Sequence, residues 1–136
     1  MYIKVYSDAA EQPRTKQCSA GILMIVNHQQ IQIKQLLTAT DNHSAEFQAC
    51  ELALQTLVHR LSDTEQKNAV VNYYTDSKIV AESLQKNYAK HYQTFVDRIE
   101  QLQQVFAFFF VNWIPDHENQ GAHQLALQAL HQAERK

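Results

Sequence analysis

The spacing of apolar residues changes at Ser44, and this change constrains the fold more than any other feature of the chain. Before Ser44, residues 2–7 alternate with the period of a β-strand, and residues 18–26 and 30–40 are two further strand candidates. Their short connections favour antiparallel hairpins. After Ser44, apolar residues recur at steps of three and four, which predicts an amphipathic helix capped at its start by Asn42 or Ser44.

The second half of the chain alternates between the two periods. A short β-rich run over residues 69–75 ends directly at Asp76, where a second helical pattern begins. A third helix is predicted over residues 91–104, and residues 105–114 predict a buried strand because they are rich in aromatic and β-branched side chains. A last helix covers residues 119–134. The order β-β-β-α-β-α-α-β-α predicts an α/β domain with a mixed sheet and helices packed on its faces.

Composition excludes several classes of function. The chain has 136 residues and only two glycines, Gly21 and Gly121, so it cannot form phosphate or dinucleotide loops that need several glycines close together. Two cysteines, Cys18 and Cys50, cannot build a thiolate-rich zinc cage and are expected to be reduced thiols in a cytoplasmic protein. A net charge of −2 argues against a broadly basic surface for nucleic acid. The longest apolar run, residues 105–111, is too short to span a bilayer, so no membrane contact is expected.

Three carboxylates occupy positions that this fold would bring together. Asp8 is predicted at the end of the first strand, Asp76 at the end of the fourth, and Glu46 in the first turn of the first helix. If strands one and four are parallel neighbours, Asp8 and Asp76 project from the same carboxyl edge of the sheet. Three acids held together repel one another unless a cation neutralises them. Carboxylate oxygens of this kind suit Mg²⁺ or Mn²⁺.

Each carboxylate also has a purely structural explanation. Asp76 before Ser77 could cap a helix, Asp8 could be a turn residue, and Glu46 could stabilise a helix dipole from its first turn. Taken one at a time, these explanations are the more economical ones. Their joint position at one edge, together with the surrounding sequences, favours the metal site.

The surrounding sequences resemble the ribonuclease H type I family in four blocks that occur in the family's order and span nearly the whole chain. The blocks are Tyr6-Ser7-Asp8-Ala9-Ala10, Asn42-His43-Ser44-Ala45-Glu46-Phe47-Gln48-Ala49, Tyr74-Thr75-Asp76-Ser77-Lys78, and Trp113-Ile114-Pro115 followed by Asn119-Gln120-Gly121-Ala122-His123-Gln124-Leu125-Ala126. The resemblance implies a single ribonuclease-H-like domain over residues 1–136. Its sheet would have five strands, with strands 1 to 3 antiparallel, strands 4 and 5 parallel to strand 1, and helices on both faces.

The resemblance also implies an activity. Members of this family are endonucleases that cut the RNA strand of an RNA/DNA hybrid with two divalent ions, Mg²⁺ or Mn²⁺, and leave 5′-phosphate and 3′-hydroxyl ends. By this resemblance Asp8 would be shared between the two ions, and Glu46 and Asp76 would hold them on either side. The implied partner is an RNA/DNA hybrid, and the protein is expected to act as a monomer.

Two histidines mark departures from the family's pattern. The fourth metal ligand of the family is usually an Asp in the first turn of the last helix, and His123 stands there in this chain. An imidazole can bind a divalent metal but is a poorer partner for Mg²⁺ than for Mn²⁺, so we expect activity to shift toward Mn²⁺. The alternative is that His123 is exposed on the solvent side of the helix. His117 lies near the position of the family's mobile histidine, but its spacing does not match, which favours a surface residue.

Several residues are candidates for contacts with the substrate. By resemblance to the family, Asn42 and His43 would approach the minor groove of the hybrid, with Ser7 close by. The segment 85–92, together with Lys78, forms the densest basic and aromatic patch of the chain and contains Lys86 and Lys90, and Ser77 beside Lys78 is a further candidate. Lysines in such a patch suit phosphate contacts. The alternative is a solvated helix end with ordinary tyrosine packing.

A second class of function stays open at this level. The chain could be a non-catalytic module that binds nucleic acid or a protein partner and kept the fold after losing the fourth carboxylate at His123. A proofreading exonuclease is disfavoured, because its first strand would carry Asp-x-Glu where this chain has Asp8-Ala9-Ala10.

Overall fold

A computed structural model describes residues 1–135, and the end of the predicted domain at Lys136 lies outside the described residues. Five strands and five helices make up the described chain, with a short 3₁₀ helix before the last α-helix. The strands are β1 (Tyr2–Glu11), β2 (Cys18–Val26), β3 (Gln29–Leu37), β4 (Val70–Thr75) and β5 (Phe108–Trp113). The helices are α1 (Asn42–Arg60), α2 (Asp63–Asn68), α3 (Lys78–Lys86), α4 (Gln93–Gln103) and α5 (Gln120–Glu134), and the 3₁₀ helix is Asp116–Glu118.

The five strands form one mixed sheet in the order β3-β2-β1-β4-β5. β1, β2 and β3 are joined as antiparallel hairpins, while β4 pairs parallel to β1 and β5 pairs parallel to β4. The predicted mixed sheet is therefore confirmed, including the parallel contact between the first and fourth strands. Since parallel strands end at the same edge, the carboxyl ends of β1 and β4 lie side by side.

Helices cover both faces of the sheet, as predicted, but unequally. On one face, alternate residues of β1 such as Ile3 and Val5 pack against Phe47 and Leu54 of α1 in the main core, to which α3 and α4 also contribute. On the other face lies α5, which places Ala126 against Ala10. α5 packs chiefly on β1, β2 and β3, so no helix within residues 1–135 packs closely on β4 and β5 on that side.

Two expectations about strands are wrong. Asp8 does not end the first strand, because β1 continues to Glu11 through its pairing with β2. The last strand is not buried: β5 is an edge strand, it begins at Phe108 rather than at residue 105, and Phe108 and Phe110 are 59% and 49% exposed. Aromatic and β-branched composition indicates a strand but does not say whether a helix covers it.

The helix starts also differ from the expectations. Asp41 caps α1, with a side-chain oxygen that accepts a hydrogen bond from the Ser44 amide at 2.9 Å, so neither Asn42 nor Ser44 is the cap. α4 begins at Gln93 instead of residue 91. The hydrophobic pattern predicts no element over residues 62–68, yet α2 forms there with Ser62 and Glu65 as a reciprocal capping box. Among the described residues, no helix is both long and apolar enough to cross a membrane.

Candidate metal centre

Pairing between β1 and β4 brings two of the three predicted carboxylates together. The last residue pair of this ladder is Tyr6 with Tyr74, and their rings stack with centroids 4.6 Å apart. Asp8 and Asp76 each follow two residues later. Because side chains alternate along a strand, Asp8 continues the side of the sheet on which the tyrosines lie, while Asp76 directly follows Thr75, the last residue of β4.

Helix α1 supplies the third carboxylate. Glu46 lies in its first two turns and is 6% exposed, while Asp8 is 4% exposed and Asp76 is half-buried. One oxygen from each of the three side chains lies within 4.8 Å of the others. We call Asp8, Glu46 and Asp76 the acidic cluster. The structure thus brings together the three carboxylates that the sequence places at this edge.

The acidic cluster is electrostatically unfavourable without a cation. Burial, followed by the charge of Asp76, raises the pKa of Asp8 to about 6. Burial and then the charges of Asp8 and Asp76 raise the pKa of Glu46 well above its usual range. Burial also raises the pKa of Asp76. A carboxyl whose pKa is raised by burial and like charge is less stable as an anion, and a bound cation reverses that cost.

A buried, unpaired oxygen adds to the fit. Oε2 of Glu46 has no hydrogen-bond partner among the described residues, although buried polar atoms are nearly always paired. Hard oxygen donors at this separation match the preferences of Mg²⁺ and Mn²⁺. The residues present therefore fit a divalent cation.

His123 faces the acidic cluster from α5. Its Nδ1 lies 2.8 Å from Oδ2 of Asp8, and its side chain is 42% exposed. It is therefore in contact with the predicted site rather than on the solvent side of the helix. It is nevertheless not one of the three residues whose donor atoms converge within 4.8 Å. His117, in the 3₁₀ helix, is exposed.

Asn119 is a residue of this site to which the sequence analysis assigns no role. It is 1% exposed at the start of α5, and its Nδ2 donates to the Ser7 carbonyl at 2.9 Å and to Oδ2 of Asp76 at 3.5 Å. It thereby connects α5 with both β1 and β4. Asn119 begins the second part of the fourth sequence block, and this position was a signal. Hydrogen bonds to strands far away in sequence, however, cannot be predicted from one chain.

Ser7 is a predicted contact residue and lies on β1. It is fully buried, and its hydroxyl is 2.5 Å from the Tyr73 hydroxyl. The reason is strand parity: Ser7 follows Ile3 and Val5 on the core face, whereas Asp8 lies on the opposite side. The side chain of Ser7 is therefore turned into the core, and the expectation that Ser7 lies close to the substrate stays a prediction.

Other predicted contact residues line an open groove of about 540 Å³ beside the acidic cluster. Asn42 and His43 lie on one wall with Glu46, and Ser77 and Lys78 lie on the other with Asp76. Ser77 also caps α3, since its hydroxyl accepts from the Val80 amide at 3.3 Å. The ammonium group of Lys78 lies 5.3 Å from the ring centroid of Trp113.

Lys86 and Lys90 are exposed and lie farther from the acidic cluster. Lys86 ends α3, which places it roughly 12 Å along the helix from Lys78. The segment that contains them returns toward α1, where the Tyr92 ring packs edge-on to His43 at 6.3 Å. The Tyr92 end of this segment therefore lies against the wall of the groove that carries His43.

Comparison with known proteins gives a consistent result. A family model described as RNase H matches residues 1–133 of the chain. The protein EbsB of Enterococcus faecalis is 32% identical over 130 residues, which cover 94% of this chain and 93% of that protein.

Solved structures share the fold at lower identity. RNase H1 from the halophilic archaeon Halobacterium salinarum has a TM-score of 0.84 at 18% identity, and the match covers 97% of this chain and 99% of that one. LC11-RNase H1, solved in complex with an RNA/DNA hybrid, has a TM-score of 0.81 at 18% identity, over 96% of this chain and 98% of that one.

Proposed function

The chain belongs to the ribonuclease H family, and we propose on this premise that it is a metal-dependent endonuclease that hydrolyses the RNA strand of RNA/DNA hybrids. The observation that carries the proposal is the acidic cluster, in which three carboxylate oxygens lie within 4.8 Å of one another. The hybrid bound to LC11-RNase H1, a protein of the same fold, supports the choice of substrate. The proposed products carry 5′-phosphate and 3′-hydroxyl ends.

The proposed metal ligands are Asp8, Glu46 and Asp76, with His123 as the fourth donor and two Mg²⁺ or Mn²⁺ ions at the site. Divalent ions bound there supply Lewis-acid stabilisation of the phosphate and lower the pKa of a bound water. The protein's own contribution is a set of anionic oxygens held in place by β1, β4 and α1. Since the pKa of Asp8 is about 6, we expect metal affinity to rise as the pH increases through this value.

His123 sets the proposed metal preference. A neutral imidazole brings no negative charge, so the site has one anion fewer than a site with four carboxylates, and nitrogen suits Mn²⁺ better than Mg²⁺. Its contact with Asp8 at 2.8 Å supports a role at the site. We expect His123→Asp to raise the rate in Mg²⁺ relative to the rate in Mn²⁺, and equal rates in both metals before and after the change would refute this role.

The groove beside the acidic cluster is the proposed place for the hybrid. Asn42 and His43 would contact the minor groove, where amide and imidazole groups can bond to the 2′-hydroxyl of RNA. Ser77 and Lys78 on the other wall, and Lys86 and Lys90 farther along, would contact phosphates. These residues offer few positive charges, so binding should be weak, and its dependence on salt should be shallow.

The decisive experiment measures cleavage of a labelled hybrid and of matched double-stranded RNA and DNA, in Mg²⁺ and in Mn²⁺. The chain should cut the hybrid alone, and Asp8→Asn should lower the rate by roughly 10³-fold or more, because the ligand removed supports several kcal/mol of metal-dependent stabilisation. Asp97→Asn removes an exposed carboxylate of α4 and is the matched control, with no change expected.

A binding titration with the same hybrid, added to this experiment, separates the enzyme from a non-catalytic module. That alternative is favoured by one observation, the histidine in place of the fourth carboxylate at residue 123. Hybrid binding without cleavage by either the unmodified chain or Asp8→Asn would establish the module and reject the enzyme. A monomeric state and a cytoplasmic location remain predictions from the sequence.

A further inference from the structure

On the side of the sheet where α5 packs, β4, β5 and the first half of β1 carry a group of aromatic side chains beyond the reach of this helix. They belong to β1, β4 and β5 and point away from the main core, since Ile3, Val71 and Phe109 of the same strands point into it. We call this surface the open face, and its defining residues are Tyr2, Lys4, Tyr6, Tyr74, Phe108 and Phe110. No residue that the structure describes covers its outer part, where Tyr2 is 80% exposed.

The rings of the open face are arranged in parallel pairs. Tyr6 and Tyr74 stack with 14° between their planes, and Phe108 and Phe110 lie 6.1 Å apart with 4° between theirs. Exposed apolar groups that cluster in this way mark binding surfaces more often than singly scattered ones. Rings on a sheet are also the platform on which single-stranded nucleic acids stack their bases.

The charge of the open face suits an anion. The chain has 14 acidic residues, yet the only charged side chain among the defining residues is Lys4. Lys4 lies between Tyr2 and Tyr6 along β1 and opposite Asn72 of β4. A second copy of the chain docked here would have to bury the Lys4 ammonium group and the Asn72 amide. A nucleic acid instead offers a phosphate to the ammonium group and base edges to the amide.

The open face ends beside the acidic cluster. Tyr6 precedes Asp8 by two residues on the same side of β1, and Tyr74 precedes Asp76, the residue that follows β4, by two residues. Two residues of a strand span roughly 7 Å. Asn119 stands at this junction, since its side chain donates to the Ser7 carbonyl and to Asp76, so a single strand on the stacked tyrosines would reach the acidic cluster around this residue.

We propose that the open face binds single-stranded DNA, with bases stacked on its aromatic rings and a phosphate beside Lys4. The choice of DNA over RNA rests on the proposed function, because DNA is the strand that the proposed reaction leaves intact. Binding by the face itself depends only on the rings and the charge.

The test is a fluorescence-anisotropy titration of the full chain with a labelled single-stranded DNA of mixed sequence, in EDTA so that no cleavage occurs. The double variant Phe108→Thr/Phe110→Thr removes two exposed rings and keeps β-branched residues in the strand. We expect its affinity for the DNA to fall at least roughly tenfold, and Lys4→Gln to lower the salt dependence by about one phosphate contact. Leu36→Thr, an exposed apolar residue of β3, is the matched control and should bind normally.

Three results would overturn the proposal: no binding by the unmodified chain, equal binding by the double variant, or a tenfold preference for single-stranded RNA. Sedimentation of the same proteins gives a fourth such result. If the unmodified chain is a dimer and the double variant is a monomer, the open face serves self-association. Cleavage of a short hybrid in Mn²⁺ is measured in parallel. If the double variant binds DNA more weakly but still cleaves the hybrid, both proposals are supported. If the unmodified chain binds DNA but does not cleave the hybrid, the proposed function and the choice of DNA are rejected, while the open face remains a binding surface.

Discussion

Asp8 and Gly21 are direct cross-strand partners on β1 and β2, yet the two sides of this pair have opposite physical character. Around Asp8, three acids crowd together, one buried oxygen has no partner, and the pKa values are raised. Around Gly21, the backbone of α5 approaches so closely that a Cβ would meet the Ala122 carbonyl oxygen and lie 2.5 Å from the Ala126 nitrogen. The crowded acids around Asp8 lower the stability of the fold in a way that a bound cation can reverse. The close contact at Gly21 holds α5, and with it His123 and Asn119, against the sheet.

The largest expected effect comes from filling the close contact. Gly21→Ala forces α5 away from β2, because the atoms in the way belong to the backbone and cannot rotate aside. We expect a loss of about 3 kcal/mol in the free energy of unfolding, measured by urea denaturation. Gly121→Ala is the control: its Cβ meets only a flexible atom of Leu23 at 2.9 Å, and alanine is the better helix former, so stability should be equal or up to about 1 kcal/mol higher. Equal losses of unfolding free energy in both variants would show that the close contact at Gly21 does not hold α5 in place.

The second effect has the opposite sign and depends on pH. The pKa of Asp8 is about 6 in the folded protein against 3.8 ordinarily, so the folded state binds the proton more tightly than the unfolded state. The free energy of unfolding of the metal-free protein should therefore fall as the pH rises from about 4 to 6 and stay low above that. Asp8→Asn removes this titration and should stabilise the metal-free protein by about 2 to 3 kcal/mol at pH 7, with no gain at pH 4.

Thermal or urea unfolding of both proteins in EDTA at the two pH values checks this expectation. Added Mn²⁺ should stabilise the unmodified chain at pH 7 and have little effect on Asp8→Asn, because binding to the folded state alone raises stability by mass action. If Asp8→Asn is no more stable than the unmodified chain at pH 7, the charges of the acidic cluster do not destabilise the metal-free protein.

The smallest effect concerns the link between the two sides. Asn119→Ala removes the donor to the Ser7 carbonyl and to Asp76, but it also removes Oδ1 of Asn119, which is buried and has no hydrogen-bond partner in the described part of the chain. The two changes partly offset, so we expect a loss of about 1 kcal/mol in unfolding free energy. The hydrogen bond from Asn119 lowers the pKa of Asp76, so its removal should also weaken Mn²⁺ binding, measured by calorimetry. A variant that loses stability but binds Mn²⁺ normally would limit Asn119 to a structural role.

Much of the fold could be predicted from residue spacing. Alternation in β1 and the helical spacing after Ser44 predicted the right elements, because each pattern reports which side chains must leave water. The starts of elements were less accurate: the cap at Asp41 and the helix after Ser62 depend on single side-chain hydrogen bonds. For the site, the sequence predicted the three acids of the cluster. The burial of Ser7 could also have been predicted, because it follows from the parity of Ser7 on β1.

The sequence by itself determined the order of the strands and of the helices other than α2, the three acids of the cluster and the family. Local period and short motifs carry that information, because they involve neighbours along the chain. Only the tertiary structure decided that His123 contacts Asp8, that Asn119 joins α5 to two strands, and that β5 is an exposed edge. The first two features depend on how α5 packs on the sheet, including its close approach at Gly21, and the third depends on the order of the strands, and no spacing in the chain records either.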